Sequence, residues 1–513
     1  MSDRNYDLII VGSGSAGAYT LKHLVQILQN TDSQVRIGVV EKSNEFYTGV
    51  AYGSRSGKDA LTITKLKDFL PHEELSRYFS WCEEKNPIRP NLPVSEDLQN
   101  LQIDQQSTDT NVGNSLTYFE DLCTSRRHFG EYLASTTEES CRSAALSGRI
   151  TVEKIHGEIN DIQQSSEHGF VCNLVTELSE NKIHAKEIVL AIGSGVLRQI
   201  PYQETTDDNT AQDLQTCVDN AVYYEPYEDN FDEAMRSLFL SCAVNDTSGK
   251  NTLLLVGANA SALEVVFYCW MKWMVGELDF NIEMVSIAGE LPEAQLSASD
   301  DKEIETMLLD DSSLKQLTAN QLHSLSEEML KEGKRMKLPL LAYSGTVNKQ
   351  VFRALSLMSK EESVSFLRKY AVSLGGYQRK AENLYRNAAD QLLAAGVLNI
   401  RAGRVRRTGS SVDSSSISVL FGDGKRSAKQ YGGVVNCMGF EPISTGSGSA
   451  LIRNLLKRGM VESHEGQSGF AVDNDFKTVS GIHVIGPLLS GNFVHGKPVW
   501  HMEHVGRIYE FSN

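Results

Sequence analysis

The chain has 513 residues, with 49 Lys+Arg against 66 Asp+Glu and a formal charge of −17. At about 100–200 residues per domain, that length implies roughly two to four domains. An apolar share of 41% and a charged share of 22% are ordinary for a folded soluble protein. The acidic balance excludes a phosphate-backbone binder, whose affinity comes from clustered Lys and Arg, and a basic membrane-surface protein. The eight cysteines include no C-x-x-C spacing, which excludes a zinc ribbon and a thiol–disulfide oxidoreductase signature. Scattered thiols of this kind read as reduced and intracellular. The apolar run Leu8 to Val11 is too short for a secretory core, and Leu253 to Val275 is interrupted by Asn259, Ser261, Glu264 and Lys272. The expectation is a cytoplasmic protein with no spanning helix and no membrane or nucleic-acid partner.

Strand-like and helix-like segments alternate from the start. Asp7 to Val11, then glycines, then a helical pattern to about Gln29, then Val35 to Val40, predict a βαβ unit and hence a parallel sheet. Further predicted strands are Glu187 to Ile192, Thr252 to Val256, Asn281 to Ile287, Val434 to Cys437 and Ile482 to Ile485. Residues 203–235 are polar and acidic and read as a solvated connection. Residues 298–395 read as mostly helical, with Phe366, Leu367, Tyr370, Ala371 and Leu374 at core spacing, and 408–417 as a Ser-rich hairpin turn. No sequence repeat is visible, although 7–29 and 252–272 have the form of a structural one.

Gly12-Ser-Gly14-Ser15-Ala16-Gly17 follows one strand and opens one helix. Gly12 suits the tight turn, Gly14 the approach of a pyrophosphate, and Gly17 close helix–strand packing; the helix N-terminus offers free N–H groups to phosphate. Glu41 ends the next strand, where a carboxylate accepts ribose hydroxyls and repels a 2′-phosphate. The first nucleotide is therefore FAD or NAD, not NADP. A second unit, Gly257-Ala-Asn259-Ala-Ser261-Ala262, carries Asn and Ala where the second and third glycines stand. Either a nicotinamide nucleotide, NADPH or NADH, binds there differently, or that site has lost its ligand.

Several motifs in order, Gly12 to Gly17, Gly49-Val-Ala-Tyr52-Gly53, Ser125-Arg-Arg127-His-Phe-Gly130-Glu-Tyr132-Leu133, Val189 to Gly193, and Val435-Asn-Cys-Met-Gly439, resemble the FAD/NAD(P)-binding family related to flavin-dependent monooxygenases. The segments Phe366 to Val405 and Ile485-Gly486-Pro487-Leu-Leu-Ser-Gly491 are similar to it as well. Ile63-Thr-Lys-Leu-Lys67-Asp68-Phe69-Leu70 resembles the stretch that runs past the flavin in amino-acid N-hydroxylating monooxygenases. There, a lysine at the place of Lys67 binds the substrate amino acid and a Gln at the place of Thr62 lies by the flavin; here Thr62 is a departure.

The resemblance implies an α/β fold of glutathione-reductase-like flavoprotein architecture. A Rossmann-like FAD-binding domain (1–205 and 420–513) would enclose a second, dinucleotide-binding-like domain (245–419) with a helical segment at about 298–395. Expected cofactor contacts are Gly12, Gly14, Ser15, Ala16, Gly17, Glu41, Lys42, Tyr52, Thr62, Arg127, Gly193, Gly486 and Pro487. Gly257, Asn259, Ser261 and Ala262 would face the nicotinamide nucleotide, and Lys67 and Asn492 the substrate. The dense C-terminal stretch offers His501 and His504, with His495, as proton-transfer groups; two histidines without a third ligand predict no metal.

The implied reaction is N-oxygenation of a small amino acid or amine with FAD, NAD(P)H and O2, in specialised metabolism. The altered second loop keeps open an FAD-dependent oxidase or dehydrogenase, and a non-catalytic flavin-binding protein.

Overall fold

The computed structural model describes residues 4–85, 120, 122–167, 169–200, 222–226, 230–242, 251–294, 308–338, 340–375, 380–410, 417–422, 431–445, 448–464, 469–500 and 504–512. His501 lies outside them.

The first sheet contains β1 (Arg4–Val11), β2 (Val35–Glu41), β3 (Ile150–His156), β4 (Glu158–Ser165), β5 (Gly169–Val175) and β6 (Glu180–Leu190). Its order is β3-β2-β1-β6, with every pair parallel. The late strand His483–Val484 adds in parallel to the end of β6. A parallel strand is covered on both faces, which is why Ile9, Ile10 and Val11 form an unbroken buried run. The strands β4, β5 and β6 form an antiparallel meander. In β5, buried and less buried residues alternate, the signature of a sheet with one face toward water.

The second sheet is built from β7 (Val222–Tyr224), β8 (Thr252–Val256), β9 (Asn281–Ser286) and later strands. After the short pair β10 (Glu293–Ala294) and β11 (Lys380–Ala381) come β12 (Leu398–Ala402), the hairpin β13 (Val405–Ser410) and β14 (Ile417–Phe421), and β15 (Gly433–Asn436). Its order, β12-β9-β8-β15-β7, is parallel throughout. All of β8 is buried, and the helices Ala260–Met274 and Asn383–Ala394 share its core.

The domain edges differ from those expected. Strand β15 pairs with β8 in the second sheet rather than belonging to the first domain. That sheet also takes in β7 and the helix Phe231–Cys242, so its unit begins before residue 245. Asp232 and Glu233, read as part of a solvated connection, form the first turn of that helix, where carboxylates complement the helix dipole.

The expected helical segment is the set Asp311–Lys315, Ala319–Arg335, Leu340–Leu357 and Lys360–Gly375. Thr318 and Gln321 form a capping box at the start of the second of these. Phe366, Leu367, Ala371 and Leu374 are buried in its core, as their spacing predicts. The same core takes in Trp500, whose ring lies 5.3 Å from Phe352 and 6.1 Å from Phe366. The helices therefore pack on the C-terminal segment of the first domain. Among the described residues, no helix is long and apolar enough to cross a membrane.

Candidate functional site

The first glycine loop joins β1 to the helix Ser15–Leu28. Gly12 has φ +93°, and a Cβ there would lie 2.5 Å from the Ala191 carbonyl oxygen. A Cβ on Gly17 would lie 2.2 Å from the Gly12 carbonyl oxygen, so only glycine allows this helix–strand approach. The first-turn amides of Ser15, Ala16 and Gly17 have no carbonyl partner within the helix, and they form an anion-binding end. Gly486, the turn after His483–Val484, closes on this loop: a Cβ on it would lie 3.0 Å from the Ala16 Cβ. Pro487 opens the 3-10 turn that follows. A Cβ on Gly193 would meet nothing within 4 Å. These features fit a bound dinucleotide along Gly12–Gly17.

Glu41 is held at both carboxylate oxygens by neighbouring serines. Its Oε2 accepts from the Ser13 N–H at 2.9 Å and Oγ–H at 3.0 Å, and its Oε1 accepts from the Ser43 N–H and Oγ–H, both at 3.0 Å. Four bonds match the four acceptor sites of a carboxylate, so Glu41 braces the glycine loop against the chain after β2. Lys42 beside it is exposed.

The second loop repeats the first bond for bond. The Gly12 N–H donates to the Val40 carbonyl at 2.8 Å, and the Gly257 N–H to the Val285 carbonyl at 2.8 Å. The Ala191 N–H donates to Val11 at 2.8 Å, and the Cys437 N–H to Val256 at 2.7 Å. Gly257 has φ +115°, and a Cβ there would lie 2.1 Å from the Cys437 carbonyl oxygen. Gly439 stands where Gly193 stands, with φ +82° against +80°. The departure at Asn259 costs the backbone nothing, because Asn259 (φ −91°, ψ −169°) and Gly14 (φ −62°, ψ −169°) share extended geometry. The Asn259 side chain stays local: its Oδ1 accepts from the Ser261 Oγ–H at 2.6 Å. Ala262 is fully buried against the strand. The geometry fits a second dinucleotide. At the place of Glu41 this unit has Ser286, so no carboxylate stands where a 2′-phosphate would arrive.

The segment Ser54–Leu70 runs between the two units. Lys67 is exposed on a one-turn helix, Leu66–Phe69. Behind it, Phe69 and Phe129 lie 4.9 Å apart and Tyr52 and Phe129 5.0 Å apart, forming an aromatic wall. His504 joins this segment from the C-terminus, with its Nε2 3.5 Å from Thr64 Oγ1 and its ring against Phe69. The Gly506 N–H donates to His504 Nδ1 at 3.2 Å, so the neutral ring carries its proton on Nε2. Burial, then the Arg507 charge, pushes the imidazole pKa down.

Four of the expected residues have their places fixed by the fold. The Thr62 hydroxyl donates to the Thr64 carbonyl at 2.9 Å and accepts from the Thr124 N–H at 3.1 Å, which ties it into the fold. The Arg127 guanidinium donates to the Ser56 and Ser54 carbonyls at 2.9 and 3.0 Å and to Asp232 Oδ2 at 2.8 Å, a tie between domains. Asn492 is buried; it donates to the Phe470 and Leu489 carbonyls at 2.8 and 2.9 Å and accepts from the Val472 N–H at 3.0 Å. It braces the turn after Pro487. His495 sits in an exposed hairpin turn.

Sequence reasoning missed Tyr385, Glu264 and Glu382. The Leu61 N–H donates to the Tyr385 hydroxyl at 2.7 Å. Glu382 caps the helix Asn383–Ala394 by accepting from Leu384 and Tyr385 N–H groups at 2.7 and 3.2 Å. Burial pushes its pKa up to about 7. Tyr385 and Glu264 lie far along the chain from their partners, and no short motif announces them. Among the described residues, no group of three His, Cys, Asp or Glu side chains is placed to hold a metal.

Residues 9–195 match a family model described as FAD-NAD(P)-binding. An uncharacterized protein of Mycobacterium tuberculosis (strain ATCC 25618 / H37Rv) is 25% identical over 98% of this chain and 93% of its own length. A Mycobacterium bovis protein, also uncharacterized, matches at 25% over the same shares. A Kutzneria sp. 744 ornithine N-hydroxylase, in its FADred–NADP+–L-orn form, superposes with TM-score 0.54 at 14% identity over 99% of both chains. The FAD-bound cadaverine monooxygenase of the desferrioxamine pathway of Erwinia amylovora superposes with TM-score 0.53 at 10% identity, over 99% of this chain and 93% of that one. The chain shares the fold of these two enzymes.

Proposed function

We propose that this chain is an FAD-dependent monooxygenase that oxidises the nitrogen of a small amino acid or amine, using NADPH and O2. The observation that carries the reading is the duplication: two glycine loops with the same hydrogen bonds stand in one chain, with Lys67 on the segment between them and the aromatic wall packed against that segment. The overall fold shared with an ornithine N-hydroxylase and a cadaverine monooxygenase supports the same reaction class.

FAD bound along Gly12–Gly17 supplies hydride acceptance and oxygen activation. The chain's own residues bind, orient and dry the site. The amine must lose its proton before it attacks. The Lys67 ammonium holds a substrate carboxylate and, as a nearby cation, favours the neutral amine. Tyr52, Phe69 and Phe129 keep water out. His504, neutral and donating from Nε2, orders Thr64 beside Lys67. Ser286 in place of a carboxylate favours NADPH over NADH.

A second reading, an oxidase or dehydrogenase that takes electrons from its amine substrate, draws on Asn259 in the second loop. Anaerobic mixing of the FAD-loaded protein with NADPH separates the two. Bleaching of the flavin without substrate supports the monooxygenase. Bleaching by small amines or amino acids alone supports the second reading, and a protein that takes up no FAD removes both.

A further inference from the structure

Glu264 lies one turn into the helix Ala260–Met274 that the second glycine loop opens. Its side chain reaches out of its own domain. Oε1 accepts from the Ser56 Oγ–H at 3.0 Å and from the Gly57 N–H at 2.8 Å. Oε2 accepts from Arg126 Nη1 at 2.9 Å, and Arg126 Nε donates to the Leu61 carbonyl at 2.9 Å. Ser56, Arg126 and Glu264 are 0%, 6% and 3% exposed. There is no room for slack, because a Cβ on Gly57 would lie 2.9 Å from the Phe231 ring. Arg127 to Asp232 and Leu61 to Tyr385 tie the same segment to the same domain.

We propose that Glu264 is a positioning residue that fixes the Ser54–Lys67 segment to the helix beneath the second dinucleotide loop, so that the nicotinamide unit and the substrate segment move as one body. This rests on the function proposed above. A buried ion pair is poor value as a source of stability, since an apolar pair of like volume holds as well. What it adds is a fixed geometry: three donors converge on one carboxylate, and each comes from the flavin domain. The second domain thereby sets the register of Ser56, Gly57 and Leu61, which lead directly into Thr64 and Lys67. Hydride transfer and substrate placement both tolerate little displacement.

The test uses the full-length FAD-loaded protein and Glu264→Gln, which keeps the shape and an acceptor but removes the charge opposite Arg126. Three readings are taken: NADPH affinity by titration, the limiting rate of anaerobic flavin bleaching per bound FAD, and amide hydrogen exchange of the 54–67 segment. The expected result is an affinity within about twofold of wild type, a limiting rate lower by about tenfold or more, and faster exchange across 54–67. Ser56→Ala, which removes one bond only, gives the same pattern on a smaller scale and serves if Glu264→Gln does not fold. An unchanged rate or unchanged exchange overturns the proposal. If wild type itself is not bleached by NADPH, the monooxygenase reading fails, and the exchange measurement alone then decides whether Glu264 positions the segment.

Discussion

The Leu61 N–H donates to the Tyr385 hydroxyl at 2.7 Å, joining the segment that carries Lys67 to a helix of the second domain. Both partners are buried, so neither regains a water partner when the other is lost. Tyr385→Phe leaves the Leu61 amide unsatisfied, which costs about 1–3 kcal/mol. Denaturant unfolding monitored by flavin fluorescence checks this. A midpoint equal to wild type contradicts it.

The paired loops separate by mutation. Gly17→Ala drives a Cβ to 2.2 Å from the Gly12 carbonyl oxygen, and the protein is expected to purify without FAD. Gly257→Ala meets the Cys437 carbonyl oxygen at 2.1 Å and is expected to keep FAD but to resist bleaching by NADPH. The flavin content and reduction rate of the two variants check the assignment. Loss of FAD in both would merge the two sites.

Stability follows pH through named groups. Burial pushes His128 and His464 down to about 4. The unfolded chain then binds more protons between about pH 6.5 and 4, and stability falls as pH falls through that window. At about 1.4 kcal/mol per tenfold change in proton affinity, each group withdraws up to about 3 kcal/mol by pH 4. Glu382, raised to about 7, works in the opposite direction: its contribution is present below about pH 4.5 and lost as pH rises through 7. The stability of Glu382→Gln relative to wild type is therefore expected to rise between pH 4.5 and 7 and to level off above. A flat difference would mean that the carboxyl titrates normally.

Lys67→Ala is expected to leave FAD content and NADPH-driven bleaching within about twofold of wild type while raising the KM for an amino-acid substrate about tenfold or more, the scale of a lost charged contact. The ratio of peroxide released to amine oxidised should rise as well. An unchanged KM would place the substrate carboxylate elsewhere.

Much of this was legible in the residues, and the reason is local. A glycine loop between an apolar run and a helix is a short-range pattern, so Gly12–Gly17 and the weaker Gly257–Ala262 both read correctly as strand–turn–helix units. The extended backbone of Asn259 needs no glycine, so the strand–turn–helix form survives the substitution. Non-local pairing was not legible. Gly433–Asn436 looks like any buried strand, and only its register with β8 places it in the second sheet. Asp232 sits in an acidic stretch and reads as solvated until Arg127 arrives from another domain. Asn492 and Thr62 have the polarity of ligand-binding residues, but their hydrogen bonds are spent inside the fold.

The central claim is oxygen transfer to nitrogen. The most direct measurement supplies FAD-loaded protein with NADPH, heavy-isotope O2 and a panel of small amino acids and amines, and weighs the products. One heavy oxygen atom in the product, retained on nitrogen, with NADPH consumed in step, is the expected result. Peroxide with a carbonyl compound and ammonia, formed without NADPH and with no heavy oxygen on nitrogen, would contradict it.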